Sequence, residues 1–281
     1  MFLALIFYFL KKSIMKVALC VIGRLENQYA LEFVEYYKSI GFDKIFIYDN
    51  NHNGEERFEE VIKKYVDEGF VEVVCIRNIE NAQLVAYNHC YETYGKDYDW
   101  IAFFDFDEFL TLVKDKDIHE FLSRFNDYQA VKINWMIFTD NGLVKNDGRP
   151  VLERFTTPMI FDKTIVYIFP ENFHTKCILR GNIDGLLWAN TPHFPTTPLK
   201  CANPLGLQTD TSPFQPYDFS VAYLKHFRTK TIDEWINNKY KRGVADRTYE
   251  LFEKTYSIDS FFKYNEKTQE KVDFINEHKN K

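Results

Sequence analysis

The chain has no CxxC pair, no apolar run long enough to cross a bilayer as a helix, no surplus of basic residues and no internal repeat or low-complexity tract. Each absence removes a class of protein. The five cysteines, Cys20, Cys75, Cys90, Cys177 and Cys201, are odd in number and scattered, which argues against a disulfide framework or a zinc site. Cys20 and Cys75 fall inside apolar, strand-like runs and read as buried thiols, so a reducing compartment is expected. The charge is 35 basic against 41 acidic residues, or −6, without the basic stripe that a nucleic-acid binder shows. Residues 2–10 are apolar and are followed by Lys11 and Lys12. That run is too short to span a bilayer, and it lacks the leading basic region and cleavage site of a signal peptide. Residues 1–14 are expected to be an upstream extension; the alternative is an anchor giving weak, reversible membrane-surface association.

What is present suits one α/β unit. The 281 residues are 46% hydrophobic, enough for a sizeable core, and the 27 Phe, 18 Tyr and 4 Trp make 17% of the chain. Most of these rings read as core, while some Tyr and Trp suit a sugar site, since such a ring covers a sugar face and still donates a hydrogen bond. Strand and helix signals alternate through the first half. Strands are expected at 16–22, 44–48, 71–76 and 100–104, and helices at 29–39, 55–68 and 81–94, which implies βαβ units, a mostly parallel sheet and helices on both faces. A strand is expected at 128–137 and a polar loop at 142–150. Six of the nine prolines fall within 191–218, which cannot be mostly helix. Residues from 231 onward read as helical, with a highly charged, solvated helix from 265.

The chemistry concentrates in DWIAFFDFDEFL, residues 99–110. Ligands of open α/β sheets bind beyond the carboxyl ends of the strands, where a strand at 100–104 delivers Asp105, Asp107 and Glu108. In extended geometry, side chains two apart share a face. Carboxylates crowded this closely repel unless a cation lies between them, and hard oxygen ligands suit Mg²⁺ or Mn²⁺, which also take diphosphate oxygens. The motif DxD alone is common; an aromatic strand leading straight into DxDE is less so.

Three segments carry a resemblance: RLENQYALEFVEYYKSIGFDKIFIYDNN (24–51), QLVAYNHCYETYGKDYDWIAFFDFDEFL (83–110) and LKHFRTKTIDEW (224–235). Their order and spacing resemble the GT-A fold glycosyltransferases, specifically family 92 and similar bacterial polysaccharide-biosynthesis enzymes. The resemblance covers roughly residues 16–250 and is weakest at 140–220. It implies a catalytic domain at 15–250, with a nucleotide-sugar half at 15–115, an acceptor half at 116–250 and a charged helical tail at 251–281. Asp105 and Asp107 would then coordinate Mn²⁺ or Mg²⁺, with His226 as a further metal or diphosphate ligand and Arg228 and Lys230 facing phosphate. Arg24, Glu26, Asn27, Asp49, Gln83, Tyr87 and Asn88 become candidates for the donor nucleotide-sugar. An Asx turn explains Asp49 equally well, and helix packing explains Tyr87. Asp140, Glu153 and Asp184 are candidates for the base that deprotonates the acceptor hydroxyl, with Asp140 slightly preferred. Trp135, His174 and His193 are candidates for the acceptor side. The family also implies an inverting transfer from a UDP-sugar, galactose-type, to a saccharide or lipid-linked acceptor in surface polysaccharide synthesis. A bacterial member would then work in the cytoplasm, peripheral at the inner membrane.

Three rivals fit less well. A haloacid-dehalogenase-type phosphatase carries its DxD on the first strand, and here three strand–helix units precede it. A nucleotidyltransferase would show a Gly-rich phosphate loop, whereas GRLENQ has one glycine. A non-catalytic nucleotide- or carbohydrate-binding domain would differ by lacking turnover.

Overall fold

The computed structural model describes residues 15–159, 171–240 and 257–278. The N-terminal extension at 1–14 lies outside them, as does part of the expected C-terminal helical region, 241–256. The first half alternates as expected: β1 (Val17–Gly23), α1 (Asn27–Ser39), β2 (Lys44–Asp49), α2 (Glu59–Asp67), β3 (Val71–Cys75), α3 (Ala82–Tyr94) and β4 (Trp100–Phe103). The physical cause is visible in β1, VALCVIG, buried along its whole length as a parallel strand covered on both faces requires. Val17, Leu19 and Val21 point into one core cluster, with Phe33 and Tyr37 of α1; Ala18, Cys20 and Ile22 point into the other, with Ala86 and Tyr87 of α3. Helix α1 buries Tyr29, Ala30, Phe33, Val34 and Tyr37, one face at helical spacing. It stops at Gly41, whose φ of +93° suits a residue without a Cβ.

The second half contributes β5 (Glu108–Leu112), α4 (Ile118–Leu122), β6 (Ala130–Ile137), α5 (Val151–Arg154), β7 (Thr175–Arg180), β8 (Cys201–Ala202), β9 (Gln208–Thr209) and β10 (Ala222–His226). The chain then forms α6 (Ile232–Glu234), a π-helical turn at Trp235–Tyr240, α7 (Ile258–Phe261) and α8 (Gln269–His278). The sheet runs β3-β2-β1-β4-β7-β6-β10-β5, with β8 beside β6 and β9 beside β8. The first four strands are parallel, β7 enters antiparallel between β4 and β6, and β10 runs parallel to β6 and antiparallel to β5. The proline-rich 191–218 stretch holds only the two-residue strands β8 and β9.

Two expectations are corrected. Cys75 is exposed, because it ends β3 at the edge of the sheet, where no further strand covers it. The C-terminal helix is not simply solvated: α8 buries Lys271, Phe274 and Ile275, the last two in a third core cluster with Val144, Trp235 and Phe261. Among the described residues, no helix is long and apolar enough to cross a membrane.

Candidate active site

The acidic motif is a turn rather than an extended segment, which corrects the expected geometry. The chain leaves β4 through Phe104, and Glu108 N–H donates to the Asp105 carbonyl at 3.0 Å as β5 begins. The Glu108 carboxyl, fully buried, accepts the Asp105 N–H at 2.9 Å and stiffens the turn from inside. Burial pushes its pKa well above the ordinary value, against the pull of Lys176.

Asp105 and Asp107 face different partners. One Asp105 oxygen accepts from Gln83 Nε2 at 2.7 Å and from Tyr87 OH at 3.3 Å, both from α3, while Lys176 Nζ of β7 stands 2.8 Å from the other. Asp107 has Lys239 Nζ at 2.6 Å on one oxygen and His226 Nε2 at 3.5 Å from the other. Burial alone would raise the Asp107 pKa; Lys239 and His226 outweigh it and hold the carboxylate well below its ordinary range.

The topology explains how distant sequence meets here. Strand β10 pairs with β5 so that His226 lies opposite Glu108, and the next N–H, of Phe227, donates to the Asp107 carbonyl at 2.9 Å. The KHFRTK segment is thereby drawn across the acidic turn. Beyond it, Arg228, Thr229, Lys230 and Lys239 line a small, nearly filled pocket of about 10 Å³ with Glu26, Tyr29, Glu234 and Asn238. The buried Lys230 ammonium lies 4.1 Å from the Tyr29 ring centroid, and burial lowers its pKa. Glu234 braces this wall, accepting from Tyr29 OH at 2.6 Å and pairing with Arg154 at 2.8 Å while closing a capping box with Thr231.

An aromatic and imidazole cluster continues from His226. Trp135 lies 4.2 Å from the His226 ring, stacks on His174 at 5.2 Å and 15°, and meets His193 at 5.0 Å. Phe214, 39% exposed, packs edge-on against His174 at 4.7 Å and opens the cluster to solvent. Glu171 sits alongside, with Arg228 at 3.7 Å, His174 at 3.8 Å and Tyr264 OH donating at 2.7 Å. Burial opposes ionisation there, but these partners win and lower its pKa.

The structure therefore brings together Glu26, Gln83, Tyr87, Asp105, Asp107, Trp135, His174, His193, His226, Arg228 and Lys230 from the sequence-derived set. Others are committed elsewhere. Asp140 is buried in an ion pair with Lys271 of α8 at 2.5 Å and caps Gly142 N–H at 2.8 Å. Glu153 is exposed on α5 and Asp184 is exposed in a turn, neither within the cluster. Asn88 exchanges both amide groups with the Trp188 backbone at 2.8 Å. Asp49 takes Arg77 at 2.5 Å and the Asn51 side chain at 2.7 Å, Arg24 forks onto Glu55, and Asn27 N–H donates to Glu56. These three stand at the carboxyl ends of β1 and β2, but their polar groups hold loops together. Sequence reasoning missed Lys176, Lys239 and Glu171. Only Lys176 carried a signal, a lysine inside the otherwise strand-like TKCILR.

A divalent cation suits this donor set in its chemistry: two carboxylates two residues apart and an imidazole whose buried Nδ1 has no hydrogen-bond partner among the described residues. Among the described residues no three His, Cys, Asp or Glu side chains are already gathered as a metal cage. Lysines stand on both carboxylates instead, so a cation there requires Lys239 to withdraw from Asp107.

The model of glycosyltransferase family 92 matches residues 16–276. The chain belongs to glycosyltransferase family 92. Similar members include family 92 proteins of Arabidopsis thaliana, 32% identical over 101 residues, and of Ricinus communis, 30% identical over 97 residues. These alignments cover 35% and 34% of this chain and 17% of each relative, so it matches less than a fifth of their length. Among solved structures, S. aureus TarS residues 1–349 aligns with a TM-score of 0.39 at 14% identity, over 59% of this chain and 47% of that one. The parallel first half, the acidic turn at the carboxyl end of β4 and the mixed second half together form the GT-A arrangement that such a family member was expected to have.

Proposed function

We propose that this family 92 chain is a metal-dependent glycosyltransferase that moves a hexose from a UDP-sugar to a saccharide or lipid-linked acceptor with inversion. The observation that carries this reading is the pairing of β10 with β5, which sets His226, Arg228 and Lys230 across the DxD turn. Acidic and basic residues more than 100 positions apart in the chain meet at one edge, as binding an anionic diphosphate through a cation would require.

When bound, Mn²⁺ or Mg²⁺ held by Asp105, Asp107 and His226 supplies charge neutralisation at the departing diphosphate. Gln83 and Tyr87 keep Asp105 oriented. Arg228, Lys230 and a withdrawn Lys239 offer the phosphates cationic donors in a partly enclosed pocket, where charge interactions are stronger than in bulk water. The wall formed by Trp135, His174, His193 and Phe214 gives the acceptor sugar an aromatic face and polar edges. Glu171 takes the role of base first sought in Asp140: it is the ionised carboxylate beside that wall, whereas Asp140 is closed off by Lys271. The galactose-type donor, the lipid-linked surface-polysaccharide acceptor and work at the cytoplasmic face of an inner membrane follow from family resemblance.

The test is a thermal-shift panel of nucleotides with and without Mn²⁺. UDP should raise the melting temperature only with metal, and Asp105→Ala/Asp107→Ala should abolish that gain.

A further inference from the structure

Lys176 is the second residue of β7, and its side chain is 1% exposed. The register sets Cys177 opposite Phe103, so Lys176 lies level with the point where the chain leaves β4 for the acidic turn. Its ammonium reaches Asp105 at 2.8 Å and lies 5.8 Å from the Tyr87 ring centroid. The pair is lopsided: the lysine is in the core, while the Asp105 side chain is 32% exposed. Burying an ammonium is costly unless it is well paired, and an apolar residue of similar volume would fill the same space at least as well. What an apolar residue could not do is hold the carboxylate. Asp105 is held on one oxygen by two hydrogen-bond donors, Gln83 and Tyr87, and on the other by the Lys176 ammonium as an ion pair, all three reaching it from inside the fold.

We infer that Lys176 is a positioning residue: its buried ammonium fixes the Asp105 carboxylate in the orientation a metal–diphosphate complex needs, and offsets the crowding of Asp105 with Glu108. The inference rests on the donor-site reading of Asp105 given above. Partners that orient a metal ligand typically matter by about tenfold to hundredfold in metal affinity or activity.

The experiment compares wild type, Lys176→Met and Lys176→Arg. Mn²⁺ binding is measured calorimetrically in the presence of UDP, alongside kcat and KM for hydrolysis of a UDP-hexose. Lys176→Met should weaken Mn²⁺ binding and lower kcat by about tenfold or more, and Lys176→Arg should recover most of both. A Lys176→Met protein with a lowered melting temperature but unchanged Mn²⁺ affinity and kcat overturns the inference and leaves the donor site intact. A wild type that binds no Mn²⁺–UDP overturns the donor-site reading and this inference with it. Should Lys176→Met fail to fold, Gln83→Leu, which removes another donor from the same carboxylate, must show the same loss of Mn²⁺ affinity, and an unchanged affinity counts against the inference.

Discussion

At the residue scale, the site divides into side chains that are held and side chains that are committed elsewhere, and Asp140 and Glu171 make the contrast testable. Asp140 is in a buried pair with Lys271, so Asp140→Asn should cost stability, on the order of 3 kcal/mol, as removal of one member of a buried pair does. The surviving folded protein should keep its kcat. Glu171→Gln should lower kcat by about a hundredfold or more, the scale of a lost general base, with a smaller stability loss from its weakened contacts to Arg228 and Tyr264. Chemical denaturation and steady-state rates on the two variants separate the roles; a Glu171→Gln enzyme with wild-type kcat removes Glu171 as the base. His193 supplies a pH signature. Burial lowers its pKa well below 6.5, and its Nδ1 donates to the Thr175 carbonyl at 3.0 Å. The folded state therefore holds the neutral ring, while the unfolded chain takes up a proton below 6.5. This contribution leaves stability untouched above 6.5 and erodes it as pH falls, by on the order of 1 kcal/mol at pH 5.5. Melting curves at pH 7.5 and 5.5 should show a smaller acid loss in His193→Gln than in wild type, and equal losses would contradict the assignment.

At the element scale, the parallel half was legible and the mixed half, β6 apart, was not, for a physical reason. Strands β1 and β4 are apolar throughout, and β2 is so between its end residues Lys44 and Asp49, because helices cover both faces, and the helices between them show their buried stripe at regular spacing. Strands β7 and β10, TKCILR and AYLKH, carry lysines that are buried or half-buried, which interrupts their apolar pattern. The cost of those lysines is met by partners far away in sequence, such as Asp105 for Lys176, which no local pattern reports. Strand β5 hid directly behind the motif, and its pairing with β10 is what assembles the site. The register of β7 depends on Gly181, since a Cβ there would run into the carbonyl oxygens of Tyr98 and Gly95. Gly181→Ala should therefore displace the end of β7, lowering the melting temperature by several degrees and weakening Mn²⁺–UDP binding through Lys176. A variant as stable as wild type would show that the 95–99 turn yields.

At the scale of the whole molecule, the fold brings distant parts of the chain to one edge. Asp105 and Asp107 come from the first half and His226, Arg228, Lys230 and Lys239 from the last part, while α8 is latched through Lys271 to the loop after β6. The DxD motif and its strand could be read in the sequence because aromatic and acidic residues mark them, and the KHFRTK segment through its resemblance to the family. Glu171, the lysines on the carboxylates and the separation of Asp140 from the site could not, since they depend on which loops the sheet order brings side by side. The most direct measurement is the melting temperature with UDP, with and without Mn²⁺, on wild type and on Asp105→Ala/Asp107→Ala. A rise that needs both UDP and metal and vanishes in the double variant is the predicted result. Wild type left unmoved by UDP under every metal condition would contradict the account.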